Sequence, residues 1–521
     1  MTSKKDIKLR TCSPARPVFK SALAKRLSTP HGDLVKKAAE TFRFIGEGFS
    51  DPDVIPLFDA QAVLDIPPYI ADYLNDYDGP NNFYTNIKGH PDLREVLMEK
   101  ARKDGLAYCS DDHITITAGA VNAFSALCYT LCDEGDVILA LAPTYILFAN
   151  AVQSFGARME LVDAAWNPDT HKYTVSAWAL EQKLARLNDQ GCKVKALFMV
   201  NPRNIDGDIW DQDEIDALAD IIHDHQLPVI EDRVYAGMQY DMTGGECAFL
   251  GNHRKVRDQV ITIDSVSKRF GATQWRVGWM FGPKEIVEPA RDFVMQTVWS
   301  PAQKYQLAAA KLLRAEIGTE EHDICTAHQS YFEELFDIYT HRRDLSLLVI
   351  NGRAHYDVMR KEKPHLTCPD VLRDRFAKYL RAHDLSLDGI AGFSTPVIPK
   401  ATMFLMIALD PDALAPIANL EAGGDLVFAR ILYQQTKICL LPPNELTMPM
   451  EDQLYRIEYG IDLDQLFTAF SRLQSFMQEW ADRNSSPFGK WIKQAMENMN
   501  ESNIQAPQVE LNNVIHTRKS A

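Results

Sequence analysis

Paired cysteines are missing from this chain. Its nine cysteines (12, 109, 128, 132, 192, 247, 325, 368 and 439) are scattered, and no Cys-x-x-Cys occurs. That excludes a disulfide-framed secreted domain and points to reduced thiols in a cytoplasmic setting. Cys128 and Cys132 stand four apart in an apolar helical run, where core packing is their expected role. Positive charge is also short: Lys+Arg 55 against Asp+Glu 71 leaves a net −16, which argues against nucleic acid or an anionic membrane as partner. No apolar run approaches the ~20 residues of a membrane span. Residues 1–37 are basic and rich in Ser, Thr and Pro, without the apolar stretch of a signal peptide, and read as part of a flexible arm over residues 1–40. His223 and His225 lie two apart on an expected helix and so point to different faces, which leaves no metal site. No internal repeat is present.

What is there is an ordinary globular composition, 46% apolar and 24% charged, in 521 residues. That length suggests two or three domains. Between Ile114 and Glu231 short β-branched runs alternate with helical periodicity. Strands are expected at 113–117, 137–141, 159–162, 196–200 and 229–231, with helices at 121–132, 146–155, 176–187 and 212–225 between them. Crossovers of that length make a mostly parallel sheet in an α/β fold. Such sheets bind ligands beyond the carboxyl ends of their strands. Residues able to carry chemistry stand there: Gly119 and Ala120 after the first strand, Tyr145 after the second, Asn201-Pro202 after the fourth, and Asp232 with Tyr235 after the fifth.

A further stretch, Gln259 to Trp279, gives these residues a purpose. A strand over 259–263 ends in a polar turn that presents Lys268, and Arg276 follows just before a second apolar run. Partial burial and a cationic neighbour lower a lysine pKa and make its amine a nucleophile towards a carbonyl. The planar fork of an arginine suits a phosphate. A Schiff base between Lys268 and a phosphate-bearing aldehyde, pyridoxal 5'-phosphate, accounts for both. Ser265-x-x-Lys268 also fits the penicillin-binding signature, but the Ser-Asp-Asn and Lys-Thr-Gly that go with it do not occur.

Ser265-x-Ser267-Lys268-x-Phe270-Gly271, continuing to Trp275-Arg276-x-Gly278-Trp279, resembles the cofactor-lysine motif of the class I/II (fold type I) aminotransferases. The likeness runs from about Phe44 to Asp462. It implies a fold type I transferase, with a large cofactor-binding domain over 78–315 and a smaller α/β domain from 41–77 and 316–483, followed by a tail over 484–521. It implies pyridoxal phosphate held by Tyr84, Gly119, Ala120, Tyr145, Asn201, Asp232, Tyr235, Ser265, Lys268 and Arg276. Tyr84 would reach the phosphate of a neighbouring subunit, hence a homodimer. Gly46, Asn201 and Arg456 would meet the substrate, with Arg456 clamping its α-carboxylate. Asp232 would keep the pyridine nitrogen protonated, and Lys268 would move the substrate Cα proton.

Some positions depart from the family pattern. Ile205 and Asp206 replace Pro-Thr in Asn-Pro-x-Asn-Pro-Thr-Gly, Ala118 replaces a hydroxyl residue, and the chain is longer between Ile350 and Pro396. The long interval also resembles aspartate 4-decarboxylases, so a lyase is the second expectation. A cofactor-binding regulator is a third, although residues 1–40 leave no room for a DNA-binding domain ahead of the transferase-like region. The positions where family members place a cation for a distal carboxylate are Met295 and Val121. Leaving a carboxylate unpaired in a closed pocket costs several kcal/mol, so the expected donor is an apolar or aromatic amino acid.

Overall fold

The computed structural model describes residues 46 to 481, except 47, 49, 59, 61, 80–83, 147, 168–169, 244, 415–423, 443–446 and 448–452. The expected arm over 1–40 and tail over 484–521 lie outside the described residues.

The centre is a sheet of β1 (Ile114–Thr117), β2 (Val137–Leu141), β3 (Arg158–Val162), β4 (Val194–Val200), β5 (Val229–Asp232), β6 (Val260–Ser265) and β7 (Gly278–Phe281), in the order β1-β7-β6-β5-β4-β2-β3. Only β7 runs antiparallel to its neighbours. The near-continuous apolar runs follow from burial on both faces. Ile116 and Phe281 pack with Leu93 and Leu312 on one side. Leu139, Phe198, Ile230 and Met280 join the larger core on the other. Two of the crossover helices start where the sequence offers caps. Ser176 caps the helix Ala177–Asp189, and Asp211 with Glu214 forms a reciprocal box at the start of Gln212–Asp224.

Differences from the expected elements have local causes. Ahead of the sheet, Pro67 and Pro68 set the first turn of the helix Pro68–Asn75. Ala165–Asn167 and Lys172–Thr174 form a hairpin too short to read from alternation. Ile55–Pro56 pairs in parallel with Ile438–Cys439, which joins an early segment of the chain to a late one.

After β7 come the helices Lys284–Thr297 and Gln303–Glu316, then the 30-residue helix His322–Asn351. The extra length past Ile350 folds as three helices, Arg353–Glu362, Pro369–Arg375 and Ala377–Ala382. They are anchored by buried charge. Arg343 bonds both Asp241 (2.6 Å) and Asp344 (2.8 Å), and Asp344 accepts from the backbone and hydroxyl of Thr367. A three-stranded antiparallel sheet of Phe393–Ser394, Phe404–Leu409 and Leu454–Glu458 carries Arg456.

Candidate active site

At the carboxyl end of β1 the chain turns through Gly119 at φ +85° into the helix Ala120–Leu131, which has no side-chain cap. Its first-turn N–H groups are therefore suited to an anion. Arg276, itself left-handed at φ +53°, lies over this turn and donates to the Ala118 carbonyl (3.1 Å). A Cβ on Gly119 would meet Arg276 Nη2 at 2.5 Å, and one on Gly278 would meet the Gly119 backbone at 2.6 Å. The two glycines are what let the guanidinium approach the helix start. Ser265, buried, ends β6 beside Gly278, its partner in the ladder. These residues form a phosphate-sized cradle of N–H, hydroxyl and guanidinium donors.

Lys268 is half-buried on the loop between β6 and β7, and its Nζ donates to the Ala60 carbonyl (3.0 Å). Asp232 closes β5, nearly fully buried, and accepts from Val234 N (3.0 Å). Among the described residues it has no ion-pair partner. Burial, with a smaller push from Asp264, raises its pKa to about 7, while Lys268 pulls the other way. A buried acid without a cation is the complement of a protonated ring nitrogen. Tyr235 lies edge-on to Phe404, its hydroxyl pKa raised by burial and drawn down by Arg456. Tyr145 is half-buried and contributes to the same field. Arg456 is buried with its guanidinium 4.0 Å from the Phe404 ring centre; it donates to the carbonyls of Asn204 (2.9 Å) and Phe58 (2.6 Å).

Three of the expected positions are not brought into this group. Asn201 is the first correction. Its amide donates to the Ala248 carbonyl (2.5 Å) and accepts from the Cys247 thiol (2.8 Å). Val200 stands opposite Asp232 in the ladder, so the next residue turns to the other side of the sheet, where Glu231 likewise binds residues 250 and 251. Asn204 is the asparagine that sequence reading passed over. It is buried, its carbonyl holds Arg456, and its amide oxygen has no hydrogen-bond partner. The second correction is Gly46, which is exposed with nothing within 4 Å of where a Cβ would stand. Residues 58 and 60 instead supply the carbonyls that reach Arg456 and Lys268. Tyr84 is 86% exposed beside Trp299 (ring centres 5.3 Å apart), so a single chain leaves it outside the group.

The donor set fits pyridoxal phosphate: an anion cradle, a lysine, a buried acid without a cation and a buried amide with an orphaned oxygen, which is interchangeable with its nitrogen in such an assignment.

Comparison with known proteins agrees. The model of the family "aminotransferase class I and II" matches residues 56–361, and the chain belongs to that family. Its members are enzymes that use pyridoxal phosphate and act on amino acids and 2-oxo acids. Kynurenine–oxoglutarate transaminase 3 of Bos taurus is 27% identical over 293 residues, 55% of this chain; the match spans 62% of that protein. Aspartate aminotransferase of Geobacillus stearothermophilus is 24% identical over 463 residues, 88% of this chain and 99% of that one. The solved aromatic aminotransferase from Pyrococcus horikoshii superposes with a TM-score of 0.62 at 22% identity, over 84% of this chain and 99% of that one, and so supports the fold.

Proposed function

We propose that this chain is a pyridoxal-phosphate aminotransferase that passes the amino group of an apolar or aromatic L-amino acid to a 2-oxo acid. The observation that carries it is the convergence of Lys268, Asp232, Asn204 and Arg456 on the carboxyl ends of the sheet strands, beside the Gly119–Arg276 cradle. Pyridoxal phosphate supplies, when bound, a ring that accepts electrons from the substrate Cα. Gly119, Ala120, Ser265 and Arg276 would hold its phosphate, and Tyr145 and Tyr235 would flank its ring. Asp232 keeps a proton at the ring nitrogen. Asn204, in place of Asn201, would donate to the ring's phenolic oxygen. Arg456 releases the Phe58 carbonyl and takes the substrate carboxylate bidentately. The Lys268 amine would take and hold the proton from the substrate Cα.

Three finer points belong to the same reading. Exposed Tyr84, Val298 and Trp299 support a homodimer in which Tyr84 serves the partner's site. Residues 78–315 would form the cofactor domain, and 41–77 with 316–483 the smaller one. No described helix is long and apolar enough to cross a membrane, and the scattered free cysteines support a cytoplasmic setting. For the substrate, Val121 is half-exposed at the helix start and Met295 half-buried, so neither position supplies a cation for a distal carboxylate.

The test is a comparison of kcat/KM for phenylalanine, leucine and aspartate with 2-oxoglutarate as acceptor, with products identified. Phenylalanine or leucine is expected to lead by at least about tenfold, a transition-state difference of about 1.4 kcal/mol. A lead for aspartate, above all with alanine and CO₂ as products, overturns the assignment.

A further inference from the structure

The turn after β4 departs from its family's pattern at residues 205 and 206, and the structure shows what stands there instead. Arg203 is fully buried, and its guanidinium holds Asp206 through one hydrogen bond (Nε to Oδ1, 3.0 Å) and an ion-pair contact (Nη2 to Oδ2, 2.7 Å). The same group reaches Asp208 (3.1 Å) and the Tyr173 carbonyl (2.6 Å). Asp206 Oδ1 also accepts from Asp208 N, and Arg203 N donates to the Asp208 carbonyl. On the far side Lys400 lies 3.4 Å from Asp208, while Gly207 accepts from the backbone of residues 400 and 401. Gly207 has φ +69°, and a Cβ there would strike Pro399 at 2.7 Å. Residue 204 is thus enclosed by an ionic clamp, and its carbonyl is bonded to Arg456.

We propose that Arg203 and Asp206 are positioning residues: their buried ion pair fixes the Asn204 turn, and through the Asn204 carbonyl it sets the guanidinium of Arg456 for a substrate carboxylate. The inference rests on Arg456 being the carboxylate-binding group. A ring-locked turn, as Asn-Pro would give, restricts the backbone covalently. Here Ile205 leaves the backbone free, and the charge-assisted bonds from Arg203 to Asp206 and Asp208 do the restricting. Burial presses the Asp206 carboxyl towards its neutral form against the pull of Arg203, and removing Asp206 alone leaves a surplus buried positive charge, with Asp208 shared between Arg203 and Lys400. Removing both need not do so.

The experiment measures binding of two unreactive carboxylates, 3-phenylpropionate and succinate, to the cofactor-loaded enzyme by calorimetry, using whichever the parent binds more tightly. Asp206→Asn keeps the volume and the fold-forming hydrogen bonds, and should weaken the probe by about tenfold. KM for the amino donor should rise by a similar factor while kcat stays within about threefold. In an Arg456→Ala background the same Asp206→Asn change should alter probe binding by less than about twofold, because the residue it acts through is gone. The double variant Arg203→Met with Asp206→Thr should bind the probe better than Asp206→Asn alone. If Asp206→Asn weakens the probe equally in both backgrounds, or not at all while Arg456→Ala does, the positioning role is overturned. If Arg456→Ala leaves probe binding unchanged, the reading of the site itself fails, and this role with it.

Discussion

The loop that carries Lys268 and the turn that carries Asn204 perform neighbouring tasks by opposite means. The lysine loop is closed at its base by Ser265 opposite Gly278 on adjacent strands, and its grip on the helix start depends on two glycines and one left-handed arginine. Every part of that device is a residue type with few substitutes, so it is written as a motif. The turn at 203–208 is held by buried charges whose partners come from Tyr173 and Lys400. A backbone constraint leaves a signature in residue types, whereas the partners that Tyr173 and Lys400 bring to this turn are seen only in three dimensions.

Lys268→Ala separates the two regions most sharply. It should abolish the visible absorbance of lysine-bound cofactor and essentially all turnover, because Lys268 is the amine whose charge acts on Asp232. A variant that keeps a full complement of borohydride-trappable cofactor would show that the loop is not the reactive element. Asp232→Asn comes next: kcat should fall by about two orders of magnitude, whereas stability should move the other way. An unfolded aspartate loses its proton near pH 4, but folded Asp232 does so at about 7. Between those values the folded, cofactor-free chain binds more protons than the unfolded one, so the group's stability contribution falls as pH rises through that window. The cofactor-free Asn variant should therefore melt above the parent at pH 8 and close to it at pH 4, as read by thermal unfolding. Equal melting temperatures at both pH values would remove the buried charge from the account.

The smallest effect tests the turn itself. Asn204→Ala should shift the pH midpoint of the cofactor absorbance and cut kcat/KM by about tenfold or more, while Asn201→Ala should leave the midpoint in place. A reversed order would return the cofactor contact to Asn201, and the face assignment at the end of β4 would be wrong.

Sequence reading reached the parallel sheet, the ends of its strands and the lysine loop, because apolar periodicity and glycine–arginine spacing are local signals. Choosing between Asn201 and Asn204 needed the register of β4 against β5. The signal was nonetheless present: in an alternating strand Val200 and Asp232 share a face, which sends Asn201 to the opposite one. Gly46 was placed by likeness alone, and the carbonyls of Phe58 and Ala60 could not be anticipated, since any residue supplies a carbonyl. The extra length past Ile350 was legible as an interval longer than the family pattern. Its anchor, Arg343 with Asp241 and Asp344, was not, because charges far apart in sequence give no periodicity.

The closing pair Ser265–Gly278 also bears on how the molecule comes into being. Lys268 and Arg276 are brought together by two strands that are neighbours in sequence, a contact of low order that forms without waiting for distant chain. Arg456 meets the carbonyl of Phe58 across 398 positions. As a ribosome releases this chain, the grip for the phosphate can assemble once Phe281 has emerged, while the group that reads the amino acid stays unfinished until Arg456 arrives. The anion cradle is thus complete within residues 119–281, whereas the contact between Arg456 and Phe58 closes the chain over almost its whole described length.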